Sequence, residues 1–220
     1  MTKNECYIID FESLDYAKFM FDVVNQTDQE NWDYFSSSPN EMARDFLQYG
    51  HLSRVIVEKD AVTGEKSAAA YIQVRILKPT AATLLYEDLY HQVGLNFSDL
   101  QEATDSRNEH HSIYIDVIAI KKHYQNRLEI LKLIPQALKD IFEVNDLHRV
   151  STIFAVGVTD RGRKMCQKMG LYERSEVWRG NDDNRHKRTL FSQETFWFWR
   201  NFEKINGNHN ENTKSGKFYF

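Results

Sequence analysis

The sequence predicts an α/β domain built on a central mixed sheet flanked by helices, and three observations predict it. A strand, helix, strand, helix succession runs from Ser112 to Met169, which calls for parallel strand pairing in the middle of the sheet. The first half holds a hairpin instead, Ser53–Lys59 and Ala68–Leu77 joined around Thr63-Gly64, which brings antiparallel pairing. Hydrophobic residues make up 41% of the 220 and aromatics 13%, enough for one core of that size.

The elements follow in order. Cys6–Phe11 (CYIIDF) reads as a short strand. Leu14–Asn25 carries Tyr16, Phe19, Met20 and Val23 at helical spacing. Pro39 stands close to a second helix start, and Met42, Phe46 and Tyr49 continue that helix up to Gly50. After the hairpin the spacing allows a helix over Leu84–Val93, while Ala103–His111 is polar loop chemistry. Ser112–Ile120 (SIYIDVIAI) is the clearest strand. Leu128–Phe142 is an amphipathic helix with Leu131, Ile134, Leu138 and Ile141 on one face and Pro135 inside it. Arg149–Val158 reads as a buried strand. Asp160–Met169 reads as a short helix capped by Thr159 or Asp160 and ended by Gly170. Leu171–Arg179 and Lys187–Trp199 are aromatic-rich strands around a polar turn at Gly180–Arg185. Residues 1–205 are therefore expected to form one domain with an insertion at about 80–111, and 206–220 a mobile tail.

Composition excludes several classes. A formal net charge of −4 with no basic stripe on the helices argues against nucleic-acid binding. No apolar run approaches the ~20 residues a membrane span needs, and Met1–Asp10 lacks the make-up of a secretory signal. Cys6 and Cys166 are the only cysteines, so a reduced cytoplasmic setting is the expectation. His110-His111 would point to opposite faces of a strand, and no metal site is expected. Phe196-Trp197-Phe198-Trp199 on a strand would send two rings to each side, into core or into a homodimer interface.

One acid stands out. Asp116 lies mid-strand between apolar neighbours and shares a face with Tyr114 and Ile118 by strand alternation. Such a carboxylate serves either as a general base or as a structural acid holding a nearby loop. The acidic residues Glu87, Asp88, Asp99, Glu102, Asp105 and Glu109 of the insertion form either a solvated loop or a field favouring a cationic amine.

The stretch Ile113–Trp178 resembles the GNAT (N-acetyltransferase) superfamily. The residues that carry the resemblance are Ile113–Ile120 leading through Lys121–Gln125 into a long helix, then Arg149–Val158, then Met165-Cys-Gln-Lys-Met-Gly-Leu171. The resemblance implies that acyl-CoA, most simply acetyl-CoA, lies in a splay between the strands at 113–120 and 149–158. Backbone of Ile118, Ala119 and Ile120 would pair with the pantetheine arm. Gln125, Asn126, Arg127 and Leu128 would lead to the helix start that receives the diphosphate. An amine of a small molecule or protein would attack the thioester, with Asp116 as base. Cys166 stands where the family commonly has a tyrosine acid, either in that role or as a small buried side chain.

The phosphate loop departs from the family's Gln/Arg-x-x-Gly-x-Gly/Ala. Here it reads Gln125-Asn-Arg-Leu-Glu-Ile130, and no glycine occurs between Gly94 and Gly157. Leu128 and Ile130 are expected to crowd the diphosphate. Asn126 and Glu129 have the spacing of a capping box, which would satisfy the helix's own N–H groups. Lys121, Lys122, His123 and Arg127 would partly offset the Glu129 charge. The competing reading is a catalytically silent module of the same fold that binds a partner or a different ligand.

Overall fold

The computed structural model describes residues 4–32, 39–87, 111–147, 150–177, 188–195 and 197–200. The insertion from 88 to 110, the turn at 180–185 and the tail lie outside the described residues. The described elements are β1 (Glu5–Ile9), α1 (Tyr16–Trp32), α2 (Pro39–Tyr49), β2 (Ser53–Lys59), β3 (Lys66–Leu77), α3 (Pro79–Tyr86), β4 (His111–Ile120), α4 (Leu128–Val144), β5 (Val150–Gly157), α5 (Asp160–Lys168), β6 (Tyr172–Val177) and β7 (Arg188–Glu194). They build one seven-stranded sheet in the order β1-β2-β3-β4-β5-β7-β6. Only β4 and β5 pair in parallel; every other neighbour is antiparallel.

Hydrophobic patterning decides what covers each face. β3 is buried from Ala68 to Leu77, so both its faces are covered, as for a central strand. On one face α1 lays Tyr16, Phe19, Met20 and Val23 against Val55, Val57 and Tyr71. On the other face α4 buries Ile130, Ile134, Ala137, Leu138 and Ile141 against the sheet. Helix α4 runs unbroken through Pro135, which removes one interior N–H donor without ending the helix. Arg54 on β2 is almost fully buried, and its Nε donates to Asp140 of α4 at 2.5 Å, tying helix to sheet.

Several local expectations are corrected. Helix α1 starts at Tyr16 and runs two turns past Asn25, with Thr27 Oγ1 donating to the Val23 carbonyl at 2.9 Å. The helix after β3 begins at Pro79, not Leu84, because proline suits the first helical turn. The C-terminal aromatic run is not one strand. β7 stops at Glu194 and residues 197–200 are helical. There Phe198 and Trp199 both pack inward, and Trp199 meets Phe142 edge-on at 5.1 Å.

Candidate functional site

Strands β4 and β5 begin as a ladder and then separate. Pairing runs from His111 opposite Val150 to Ile115 opposite Ala155 and stops there. Beyond that point β4 stays bonded to β3 through Ile120, and β5 stays bonded to β7 through Gly157. Residues 116–120 and 156–157 are therefore not paired with each other, and each segment is held by its other neighbour; this break in the ladder is the gap. The Lys121 N–H donates to the Ala69 carbonyl of β3 at 3.1 Å. Antiparallel alternation then turns Ile118 and Ile120 backbone groups away from β3, into the gap.

At the inner end of the gap the β3–β4 register slips. Gln73 faces Val117 and Val74 faces Ile115, so Asp116 is the extra residue of a β-bulge. The bulge aims the Asp116 carboxylate at Arg75 on β3, whose Nε donates to Oδ2 at 2.8 Å. Arg75 is buried, with its side chain 10% exposed against 30% for Asp116. A second nitrogen of Arg75 donates to Gln73 Oε1 at 3.3 Å, and the guanidinium carbon lies 4.9 Å from the Tyr49 ring centre.

At the outer end, residues 122–124 form a single 3₁₀ turn and α4 starts at Leu128. The expected capping box does not have its N-cap: Arg127, not Asn126, is the N-cap residue, and its side chain makes no capping hydrogen bond. The first intrahelical bond runs from the Leu131 N–H to the Arg127 carbonyl, so the N–H groups of residues 128–130 stand ahead of the ladder. Two of the expected offsetting cations are engaged within the fold. The buried Lys121 ammonium lies 2.5 Å from Asp22 of α1, and Arg127 lies 2.6 Å from Glu58 of β2. Glu58 also accepts from the Tyr124 hydroxyl at 2.9 Å and from Asn4 at 3.1 Å. Burial pushes the Glu58 carboxyl up, but these donors outweigh it and hold the group below its ordinary range. Burial, then the Glu58 hydrogen bond, pushes the Tyr124 hydroxyl well up.

The β5 wall is set by close packing. A Cβ on Gly157 would come within 2.8 Å of Arg163 Cγ and 3.0 Å of Phe191 Cε2, so only glycine lets α5 sit this near the sheet. The Thr159 side chain caps α5, accepting from the Gly162 N–H at 3.0 Å, and Gly170 at φ 80° ends the helix turn. Arg161 in the first turn of α5 donates to Gln125 Oε1, while Gln125 Nε2 donates to the Ile120 carbonyl at 3.0 Å. One glutamine therefore links both walls of the gap.

No protein-family model matches the chain, and no curated protein matches it in sequence. Solved structures match it in shape. The NatC complex bound to Gag peptide and CoA aligns at TM-score 0.55 and 10% identity, over 88% of this chain and 99% of that one. Arabidopsis thaliana NAA60 in complex with acetyl-CoA aligns at TM-score 0.52 and 10% identity, over 88% and 99%. The C-terminal condensation domain of Ebony in complex with beta-alanyl-dopamine aligns at TM-score 0.51 and 11% identity, over 88% and 100%. The chain has the GNAT fold.

Within the GNAT fold the sequence-selected residues divide into groups. Asp116, Ile118, Ala119 and Ile120 lie together along the β4 side of the gap. Gln125, Asn126, Arg127 and Leu128 follow at its outer end. Leu128 is largely exposed, whereas Ile130 is buried among core residues, so Ile130 does not stand where it was expected to crowd a diphosphate. Cys166 lies in the core on α5, 6% exposed, and burial pushes its thiol up to about 12. Sequence reasoning missed Arg75 and Arg161. Arg75 had a visible signal, since Gln73 and Arg75 place two polar residues on one face of an otherwise apolar strand. Arg161 had none, because one more cation at a helix start reads as surface.

Proposed function

We propose that this chain is a divergent GNAT-type N-acyltransferase that moves an acetyl or longer acyl group from acyl-CoA onto an amine of a small molecule or protein. The observation that carries the reading is the parting of β4 and β5 after Ile115 and Ala155. A pantetheine arm adds to the β4 edge at Ile118 and Ile120, whose backbone groups face away from β3, as an extra strand would; Ala119 faces β3, and the arm displaces Gln125 from the Ile120 carbonyl. Gln125, Asn126, Arg127 and Leu128 lead the diphosphate to the first turn of α4, where N–H groups and the helix dipole attract anions. The CoA and acetyl-CoA named for the NatC and NAA60 structures support this choice of donor.

In the reaction the amine nitrogen attacks the thioester carbonyl carbon. A C–N bond forms, the C–S bond breaks, and the sulfur leaves as CoA thiol once protonated. Asp116 takes the proton that the amine sheds. Its place at the inner end of the gap, on a bulge, supports that role. Cys166 remains a core residue, and the proton that Asp116 takes from the amine passes through solvent to the departing thiolate, which restores the carboxylate.

Millimolar acetyl-CoA is expected to raise the melting temperature by linkage. Asp116→Asn is expected to lower kcat by about 100-fold or more while leaving that melting shift intact. An unchanged melting curve for the unaltered protein removes the transferase reading; full turnover by Asp116→Asn removes the base assignment. The second reading, a silent module for a partner or another ligand, is favoured by the Gln125–Arg161 contact across the gap and by the engaged Lys121 and Arg127.

A further inference from the structure

We infer that Arg75 is a positioning residue for Asp116: it fixes one carboxylate oxygen so that the other is presented as a base at the point where β4 leaves β5. The inference rests on the transferase reading above and goes beyond it, because Arg75 lies on β3 and forms no part of the β4–β5 gap itself.

Three observations carry it. The carboxylate is placed by a bulge, so backbone and not rotamer choice brings it to Arg75. The guanidinium is itself fixed, by Gln73 Oε1 at 3.3 Å and by the Tyr49 ring at 4.9 Å, in a buried setting that leaves it little freedom. The contact uses Nε and Oδ2 at 2.8 Å, which occupies one oxygen of a side chain that is 30% exposed. A carboxylate held at one oxygen and open at the other takes a proton in a defined direction, from an amine approaching the acyl group. A Lys in place of Arg75 keeps a charge but not a planar fork with an Nε–H at this spot.

A packing role and a positioning role make different predictions, and a double-mutant cycle separates them. Turnover is measured for the unaltered protein, Arg75→Gln, Arg75→Lys, Asp116→Asn and Arg75→Gln/Asp116→Asn, with acetyl-CoA as donor and a panel of primary amines as acceptors. Acetyl-CoA affinity is measured for each by calorimetry. Arg75→Gln is expected to lower kcat about 10- to 100-fold with donor affinity nearly unchanged. In the Asp116→Asn background the same change is expected to cost less than about twofold. Arg75→Lys, the variant that keeps most of the buried volume, is expected to lose less kcat than Arg75→Gln. Equal losses in both backgrounds, a fall in donor affinity that matches the fall in kcat, or unchanged kcat in both Arg75 variants would overturn the inference and leave the transferase reading standing. Absence of turnover by the unaltered protein would overturn both.

Discussion

The two ends of the β4–β5 gap are built on opposite plans. At the inner end a polar group, Asp116, is delivered to a fixed partner, Arg75, through one oxygen, and its side chain stays 30% exposed. At the outer end the residues that could meet a diphosphate are turned back into the fold: Lys121 to Asp22, Arg127 to Glu58, Gln125 to both walls. The N-cap residue of α4, Arg127, makes no capping bond through its side chain, yet the loop before the helix lacks glycine. The difference teaches that the inner end leaves a carboxylate partly exposed on one partner, while the outer end ties its polar groups together by internal ion pairs.

The largest expected effect comes from breaking the β5 wall of the outer end. Gly157→Ala puts a methyl 2.8 Å from Arg163 Cγ and 3.0 Å from Arg163 Cα, so α5 must lift from β5 and carry Arg161 with it. Overpacking of this kind costs about 2–3 kcal/mol, which in a chain of this size lowers the melting temperature by several degrees. Calorimetric melting checks it. A change within about 0.5 kcal/mol would mean that α5 is free to shift, and the two-wall description of the outer end would fail.

A smaller effect is expected from the Glu58 cluster. Glu58→Gln leaves Arg127 and the Tyr124 hydroxyl short of their shared acceptor, at a cost of about 1–2 kcal/mol. The native carboxyl is held below its ordinary value, so it stays ionised in the folded state when the unfolded chain has begun to take up protons. Its stabilisation is present above the ordinary carboxylate range, about pH 4.3, and is lost as the pH falls through the lower folded value. Chemical denaturation between pH 7 and pH 3 is expected to show a shallower acid loss for Glu58→Gln than for the native chain. Parallel pH curves would show that Glu58 is not what anchors the loop.

The same contrast explains what the sequence made legible. The order β-α-α-β-β, then an insertion, then β-α-β-α-β-β, together with the sheet and the parallel pair, followed from periodicity, because period 2 and period 3.6 are local properties of Ser53–Lys59, Ser112–Ile120 or Leu128–Phe142. Asp116 was legible for the same reason, as an acid on an apolar strand. Its partner was not: the bulge that swings it onto Arg75 arises from β3–β4 register, a pairing across 41 residues that no window contains. Asn126 and Glu129 had capping-box spacing, but the 3₁₀ turn at 122–124 moves the helix start to Leu128, one residue too late. Lys121 and Arg127 read as loop cations because Asp22 and Glu58 reach them only through tertiary packing.

The smallest expected effect probes the donor end most directly. Glu129 brings a carboxylate into the first turn of α4, the turn that should receive the diphosphate. Two opposed electrostatic consequences follow from one charge. Near a helix N-terminus a negative side chain stabilises the helix by about 0.3–1 kcal/mol, so Glu129→Gln should lower the melting temperature of the unliganded protein slightly. Toward a bound diphosphate the same carboxylate is repulsive, so its removal should tighten acetyl-CoA by about threefold at low salt. Since Glu129 is only half-buried, the gain should fade as ionic strength rises and the screening length shortens. Calorimetric titration at two salt concentrations reads both terms: weaker binding by Glu129→Gln, or a gain that survives high salt, would place the diphosphate away from the start of α4.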